Sequence, residues 1–241
     1  MAFLKPVPLE RDADAVEMMD RPSAFGELAG ELRAITKLNR IFGGSRLTVG
    51  HVRRLLERLP ADRPVTVLDV GAGAADIPVA LVRWARRAGR RIRVLALDRD
   101  GGTLTYARRY TAAYPEITTV QGDALALPVR PGSVDVVISA MTLHHLQPEE
   151  AVRYLAEIDA ASGIGWVVND LVRGRVAYRF AWAATRVFSR SVMARHDGPM
   201  SILRSYTPPE VVALCEKAGF FDVAVTHYPM VFRQCAVRAK P

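Results

Sequence analysis

The sequence predicts an α/β fold: a doubly wound, seven-stranded, mostly parallel sheet with an antiparallel last strand. Three observations predict it. Short apolar runs alternate with amphipathic helical periods from residue 65 onward, and the first run gives way to a helix through Gly71-Ala72-Gly73. The last two runs are joined only by a tight link at Pro229, which suits an antiparallel pair and no crossover. Half of the 241 residues are apolar, enough for a large core, and the length suits one decorated domain.

Ahead of the sheet, residues 1–62 read as a helical N-terminal cap. Ala24 to Ile41 and Leu47 to Leu59 carry apolar residues at three- and four-residue spacing, parted by Gly43-Gly44-Ser45, and LPADRP marks the boundary. The core, residues 63–241, opens with a strand over Val65 to Val70 and a helix over Asp76 to Ala88. A second strand, Ile92 to Leu97, ends at Asp98, and a helix from Thr103 to Ala113 leads to a third strand over Thr118 to Gln121. Val134 to Ala140 forms the fourth strand, Pro148 to Ala161 a helix with Pro at its start, and Ile164 to Asn169 the fifth strand.

Residues 171–206 break the rhythm and read as a helical insertion: a long amphipathic helix over Arg175 to Ala194, then a polar loop, RHDGPMSILRSY. Thr207, Pro208, Pro209 and Glu210 start a further helix that Gly219 stops, and Phe221 to Met230 and Val231 to Arg238 close the sheet.

Composition narrows the function classes. Cys215 and Cys235 are the only cysteines, and neither belongs to a metal-binding spacing, so no disulfide framework is expected. The N-terminal stretch lacks an apolar region after Lys5, and the run Val176 to Phe188 is interrupted by Arg179 and Arg186. Neither a signal peptide nor a membrane span is expected, and the expected location is cytoplasmic. The net charge of +8 admits nucleic acid as a partner, but the basic residues are scattered. The densest cluster, Arg83 to Arg93, closes a helix where cations suit the dipole.

The informative string is VLDVGAGAAD, residues 67–76, where the first strand meets a helix and open parallel sheets bind ligands. Gly71 and Gly73 allow positive φ and close backbone approach, and the helix start offers free amides. Asp69, two residues before Gly71, attracts an ammonium and is out of place beside a pyrophosphate. Asp76 also stands where a dinucleotide fingerprint has its third Gly, so a nicotinamide site is disfavoured.

On these residues the chain resembles the class I S-adenosylmethionine-dependent methyltransferases, in their small-molecule, quinone or natural-product O-methyltransferase branch, from residue 65 to the last residue. The resemblance implies a Rossmann-like core and S-adenosylmethionine as cofactor. It implies that Asp69, Gly71, Ala72 and Gly73 contact the methionine part and that Asp98 accepts from the ribose hydroxyls. Asp123 and the Ala124 amide in QGDALALP then meet the adenine, with Arg99 flanking it and Ala140 at the fourth strand's end completing the site. The family often has Gly where this chain has Ala75.

Transfer to a hydroxyl needs a base. His144 and His145 in TLHHL follow the fourth strand, and Asp170 ends the fifth. Asp170 is therefore expected to orient His145, with His144 as the fallback, much as a carboxylate orients a catalytic imidazole. The Asn169-Asp170 pair also resembles that of metal-dependent catechol enzymes, but the acid such a site needs after strand four is missing between Ser139 and Thr142, so no metal is expected. Tyr178, Trp182, Phe188, Arg179 and Arg186 on the insertion helix, and His196, Asp197, Arg204 and Tyr206 in the polar loop, are acceptor-side candidates.

Methylation of a small molecule, most simply at a phenolic, quinol or polyketide-like hydroxyl, is the expected function. Ribose or carbon methylation of nucleic acid is the first alternative; the Asn/Asp-Pro-Pro-aromatic box of amino methylation is absent after strand four. A non-catalytic partner protein that keeps the cofactor is the second.

Overall fold

The computed structural model describes residues 10–20 and 25–241. Lys5 and Ala24, which entered the N-terminal expectations, lie outside these. Two helices, α1 (Phe25–Ile41) and α2 (Gly44–Leu56), precede β1 (Val65–Val70), α3 (Asp76–Arg87), β2 (Ile92–Asp98), α4 (Gly101–Tyr110) and β3 (Ile117–Gln121). Then follow β4 (Val134–Ala140), α5 (Pro148–Ala161), β5 (Ser162–Leu171), α6 (Arg175–Phe188), α7 (Val192–Arg204), α8 (Pro208–Lys217), β6 (Val223–Tyr228) and β7 (Arg233–Ala239).

The strands form one sheet in the order β3-β2-β1-β4-β5-β7-β6. Strands β1 to β5 pair in parallel, and β7 runs antiparallel to both β5 and β6. The order reverses between β1 and β4, so the carboxyl ends of these central strands flank the crevice where open sheets place their ligands. The buried Val65, Val67, Leu68 and Val70 on β1 fit a strand covered on both faces. One face packs α5 and α8 through Tyr154, Leu155, Ile158 and Leu214 against Trp166; the other packs α3 through Ile77, Leu81 and Val82.

Helix α2 departs from the expected cap. Its Val52, Leu55 and Leu56 share a core cluster with β1 and α3, so the packing is continuous across the LPADRP segment. Helix α1 packs its Leu28 and Leu32 on Ala74 in the glycine loop.

The expected polar loop after the insertion helix is also corrected. The helix ends at Phe188, and residues 192–204 form α7, with Ser191 accepting from the Ala194 amide at its start. Gly198 and Pro199 read as loop signals in the sequence. Gly198 is instead a packing glycine: a Cβ there would stand 2.5 Å from Thr185 Cγ2 on α6. Tertiary contact of the buried Met193, Ala194 and Ile202 outweighs the weak local helix preference.

Candidate active site

The loop after β1 is shaped by positive-φ backbone at Gly71, Gly73 and Ala75. At Gly71 the conformation and the space both demand glycine, because a Cβ would lie against Thr142 Oγ1. Ala75, at φ 59, bears the strain of a methyl in the left-handed region at the N-terminus of α3. Asp98 holds the loop: its Oδ2 accepts from the Gly73 amide at 2.9 Å and its Oδ1 from the Asp100 amide at 3.1 Å.

A cavity of about 1180 Å³ opens over this loop, lined by Asp69, Gly71, Ala72, Gly73, Asp98, Arg99, Asp123, Ala124 and Ala140. Its size lies above the usual range for one small ligand, leaving room for a second beside the first. Asp123 also accepts from the Leu125 amide at 2.8 Å, an Asx-turn that fixes its carboxylate. Burial raises the pKa of Asp69 well above its ordinary value, with Asp76 and Asp98 adding repulsion, and burial raises Asp76 and Asp98 too. Three crowded carboxyls favour a cationic ligand. The positive-φ loop, the carboxylate behind it and this electrostatic demand fit a ligand carrying an ammonium and a sulfonium.

The same cavity is lined by Glu17, His144 and His145, which lie together. Asp170 pairs with His144, correcting the expected partnership with His145. Its Oδ1 lies 2.7 Å from His144 Nδ1, and its Oδ2 accepts from the His144 amide at 3.0 Å. The short 3-10 turn over Leu143–His145 causes this, turning the first histidine inward beneath the second. Burial alone would lower the His144 pKa, but Asp170 and then Glu17 raise it to about 10. Burial likewise pushes Asp170 and Glu17 up, and His144 outweighs it, holding both low.

His145 lies on the cavity wall with its side chain 24% exposed, its Nε2 3.9 Å from Glu17 Oε2. Glu17 is the residue that sequence reasoning missed. It stands 127 positions before His144 with no motif around it, so only the fold could reveal it. Ser201 Oγ lies 3.0 Å from Glu17 Oε1, and Arg11 ties the segment down by donating to the carbonyls of His144 and Leu146.

Asn169 takes no part. Strand alternation turns it to the other face, where its amide donates to the Gly44 carbonyl and Thr48 Oγ1, so the Asn-Asp metal pair is not assembled. Of the acceptor-side candidates, Asp197 and Arg204 line the cavity. Tyr178, Arg179, Trp182, Arg186, Phe188, His196 and Tyr206 are not among the lining residues; α6 presents Ala177, Phe180, Ala181 and Ala184 instead. Trp182 lies outside under Arg186, 4.0 Å from ring centre to guanidinium carbon, and Tyr206 donates to the Leu146 carbonyl.

Residues 67–164 match a family model described as a methyltransferase domain. Residues 67–164 are thus a methyltransferase domain, and the chain is similar to the class I S-adenosylmethionine-dependent methyltransferases. S-adenosylmethionine is its cofactor. A 2-phytyl-1,4-naphtoquinone methyltransferase of Thermosynechococcus vestitus is 29% identical over 175 residues, which are 69% of this chain and 76% of that protein. A malonyl-[acyl-carrier protein] O-methyltransferase of Xylella fastidiosa is 36% identical over 99 residues, 39% of this chain and 32% of that protein. The crystal structure of human N-acetylserotonin methyltransferase in complex with S-adenosylmethionine shares the fold of the methyltransferase, with TM-score 0.64 and 17% identity over 90% of this chain and 56% of that one. No helix among the described residues is long and apolar enough to cross a membrane.

Proposed function

We propose that this methyltransferase acts on a small molecule and methylates it at a hydroxyl of phenolic or quinol type. One observation carries the reading: in the cavity that the glycine loop also lines, the His145 ring lies on the wall with its Nε2 3.9 Å from the Glu17 carboxylate. When bound, S-adenosylmethionine supplies a methyl group already activated by its sulfonium. The chain's residues then hold, orient and deprotonate. Gly71 to Gly73 and Asp69 hold the methionine end, Asp98 accepts from the ribose hydroxyls with its remaining lone pairs, and Asp123 with the Ala124 amide meets the adenine. His145 takes the acceptor's proton, and Glu17 stabilises the resulting imidazolium. His144, charged and clamped between two carboxylates, orients Glu17 and supports the His145 ring.

The naphthoquinone named for the Thermosynechococcus protein favours a second reading, a ring carbon of a quinol-type acceptor. A proton must leave there too, so the same histidine serves.

The test is product detection by mass spectrometry on phenols, quinols and carboxylic acids with S-adenosylmethionine. His145→Ala should lower turnover roughly 100-fold while cofactor affinity stays unchanged. Wild-type rates from both His145→Ala and His144→Gln at saturating acceptor would remove the base from the reading.

A further inference from the structure

His144 and Glu17 are a mismatched pair if only a proton joins them. Asp170 occupies Nδ1 of the imidazole, leaving Nε2 aimed at Glu17 Oε1. A hydrogen bond between such groups closes to about 2.8 Å. The separation is 3.5 Å, too long for that bond, and among the described residues this buried Nε2 has no partner within good hydrogen-bond geometry. With Glu17 Oε2 3.9 Å from His145 Nε2, one nitrogen from each ring and a carboxylate oxygen lie within 4.8 Å of one another.

These spacings suit a metal ion. Four-coordinate zinc binds imidazole nitrogen and carboxylate oxygen at about 2.0–2.2 Å, which sets neighbouring donor atoms about 3.4 Å apart. The 3.5 Å edge from His144 Nε2 to Oε1 matches. His145 Nε2 lies 3.9 Å from the other oxygen, Oε2, so the partly exposed His145 ring must turn to bring its nitrogen onto an ion held by the same carboxylate, and one oxygen already lies within 4.8 Å of both nitrogens. The surroundings match as well. Ligating histidines commonly have a carboxylate on the second ring nitrogen, and Asp170 is placed so; ligating carboxylates are themselves hydrogen-bonded, and Ser201 stands at Glu17. Two imidazoles exclude the all-oxygen preference of magnesium and calcium.

We propose that Glu17, His144 and His145 bind a zinc ion, with the fourth position open to the acceptor. The ion replaces the Nε2 proton of His144. Its role rests on the hydroxyl reading above: the acceptor oxygen binds the metal, its O–H bond breaks with the electron pair staying on oxygen, and the proton passes to water. His145 is then a ligand in the loaded enzyme and a base only in the metal-free one.

The full chain, stripped with a chelator, is titrated with zinc chloride by calorimetry and then with cobalt(II) chloride by visible absorption. One equivalent of zinc should bind, and cobalt should give the intense absorption of a four-coordinate site. Glu17→Gln and His145→Ala should each weaken zinc binding at least 100-fold, while His227→Ala, on exposed strand β6, leaves it unchanged. Calorimetry with S-adenosylmethionine shows that each variant is folded. No uptake by the wild type, or uptake that Glu17→Gln and His145→Ala leave intact, overturns the site. Zinc uptake as expected with no product from any hydroxyl acceptor keeps the metal site and overturns the hydroxyl reading. Full turnover by the stripped enzyme together with absent uptake does the reverse.

Discussion

Asp98 does two things with one carboxylate: it ties the Gly73 amide and it lines the cavity, where the proposed reading gives it the ribose. Asp98→Ala should therefore weaken S-adenosylmethionine binding by about 1.5–3 kcal/mol, roughly 10- to 150-fold, as read by calorimetry. Asp98→Asn should keep part of the affinity, because its amide oxygen still accepts from Gly73. Glu31 makes a different prediction. It is buried on α1, accepts from Ser191 Oγ at 3.0 Å, and faces the charges of Asp197 and Glu17. Burial raises its pKa from 4.5 to about 7. A raised carboxyl contributes stability below its unfolded pKa, and that contribution is lost as pH rises through the folded value. Between pH 5 and 8 the wild type should lose up to about 3 kcal/mol relative to Glu31→Gln. Denaturant melts of both at several pH values check this, and parallel curves would refute it.

Among the elements, strands and α/β alternation were legible because apolar runs between glycine punctuation have one economical interpretation. Helix α7 was not. Its sequence carries Gly198 and Pro199, and its preference for helix comes from what it packs against, which no local pattern records. The glycine that hid the helix tests this account. In an exposed helix Gly→Ala stabilises by about 0.5–1 kcal/mol, but at Gly198 a Cβ must push Thr185, itself buried and bonded to the Ala181 carbonyl. Gly198→Ala should instead destabilise by about 1–2 kcal/mol in thermal or urea melts. The site divides the same way. The glycine-loop part follows strand ends and turns, so the sequence could place Asp69, Asp98 and Asp123 around one cavity. The acceptor end depends on which way one turn rotates two adjacent histidines and on a glutamate from outside the sheet. Asp170 was legible as a partner, but not which ring it holds.

At the scale of the molecule, a chain of net charge +8 gathers buried carboxyls around the cavity over its glycine loop. Asp69, Asp76 and Asp98, raised by burial, hold protons more tightly than exposed carboxyls. A cationic ligand lowers their pKa values and so expels protons. S-adenosylmethionine binding on the acid side of neutrality, above the ordinary carboxylate value, should release protons, measured as a dependence of calorimetric enthalpy on buffer ionisation, and affinity should rise with pH as these carboxyls ionise. An enthalpy independent of buffer would show that the carboxyls are already ionised.

The tethering of residues 10–20 by Arg11, and by Asp197, which accepts from the Met18 and Met19 amides, also sets an order of events in folding. The groups that receive this segment belong to His144, Leu146, Asp197 and Arg204, all made long after it during synthesis. Contacts of such sequence separation form late because the intervening loop must first be closed. The sheet and its glycine loop need none of them. A refolding chain should thus regain affinity for S-adenosylmethionine before it regains turnover, with the lag between the two lengthened by Arg11→Ala.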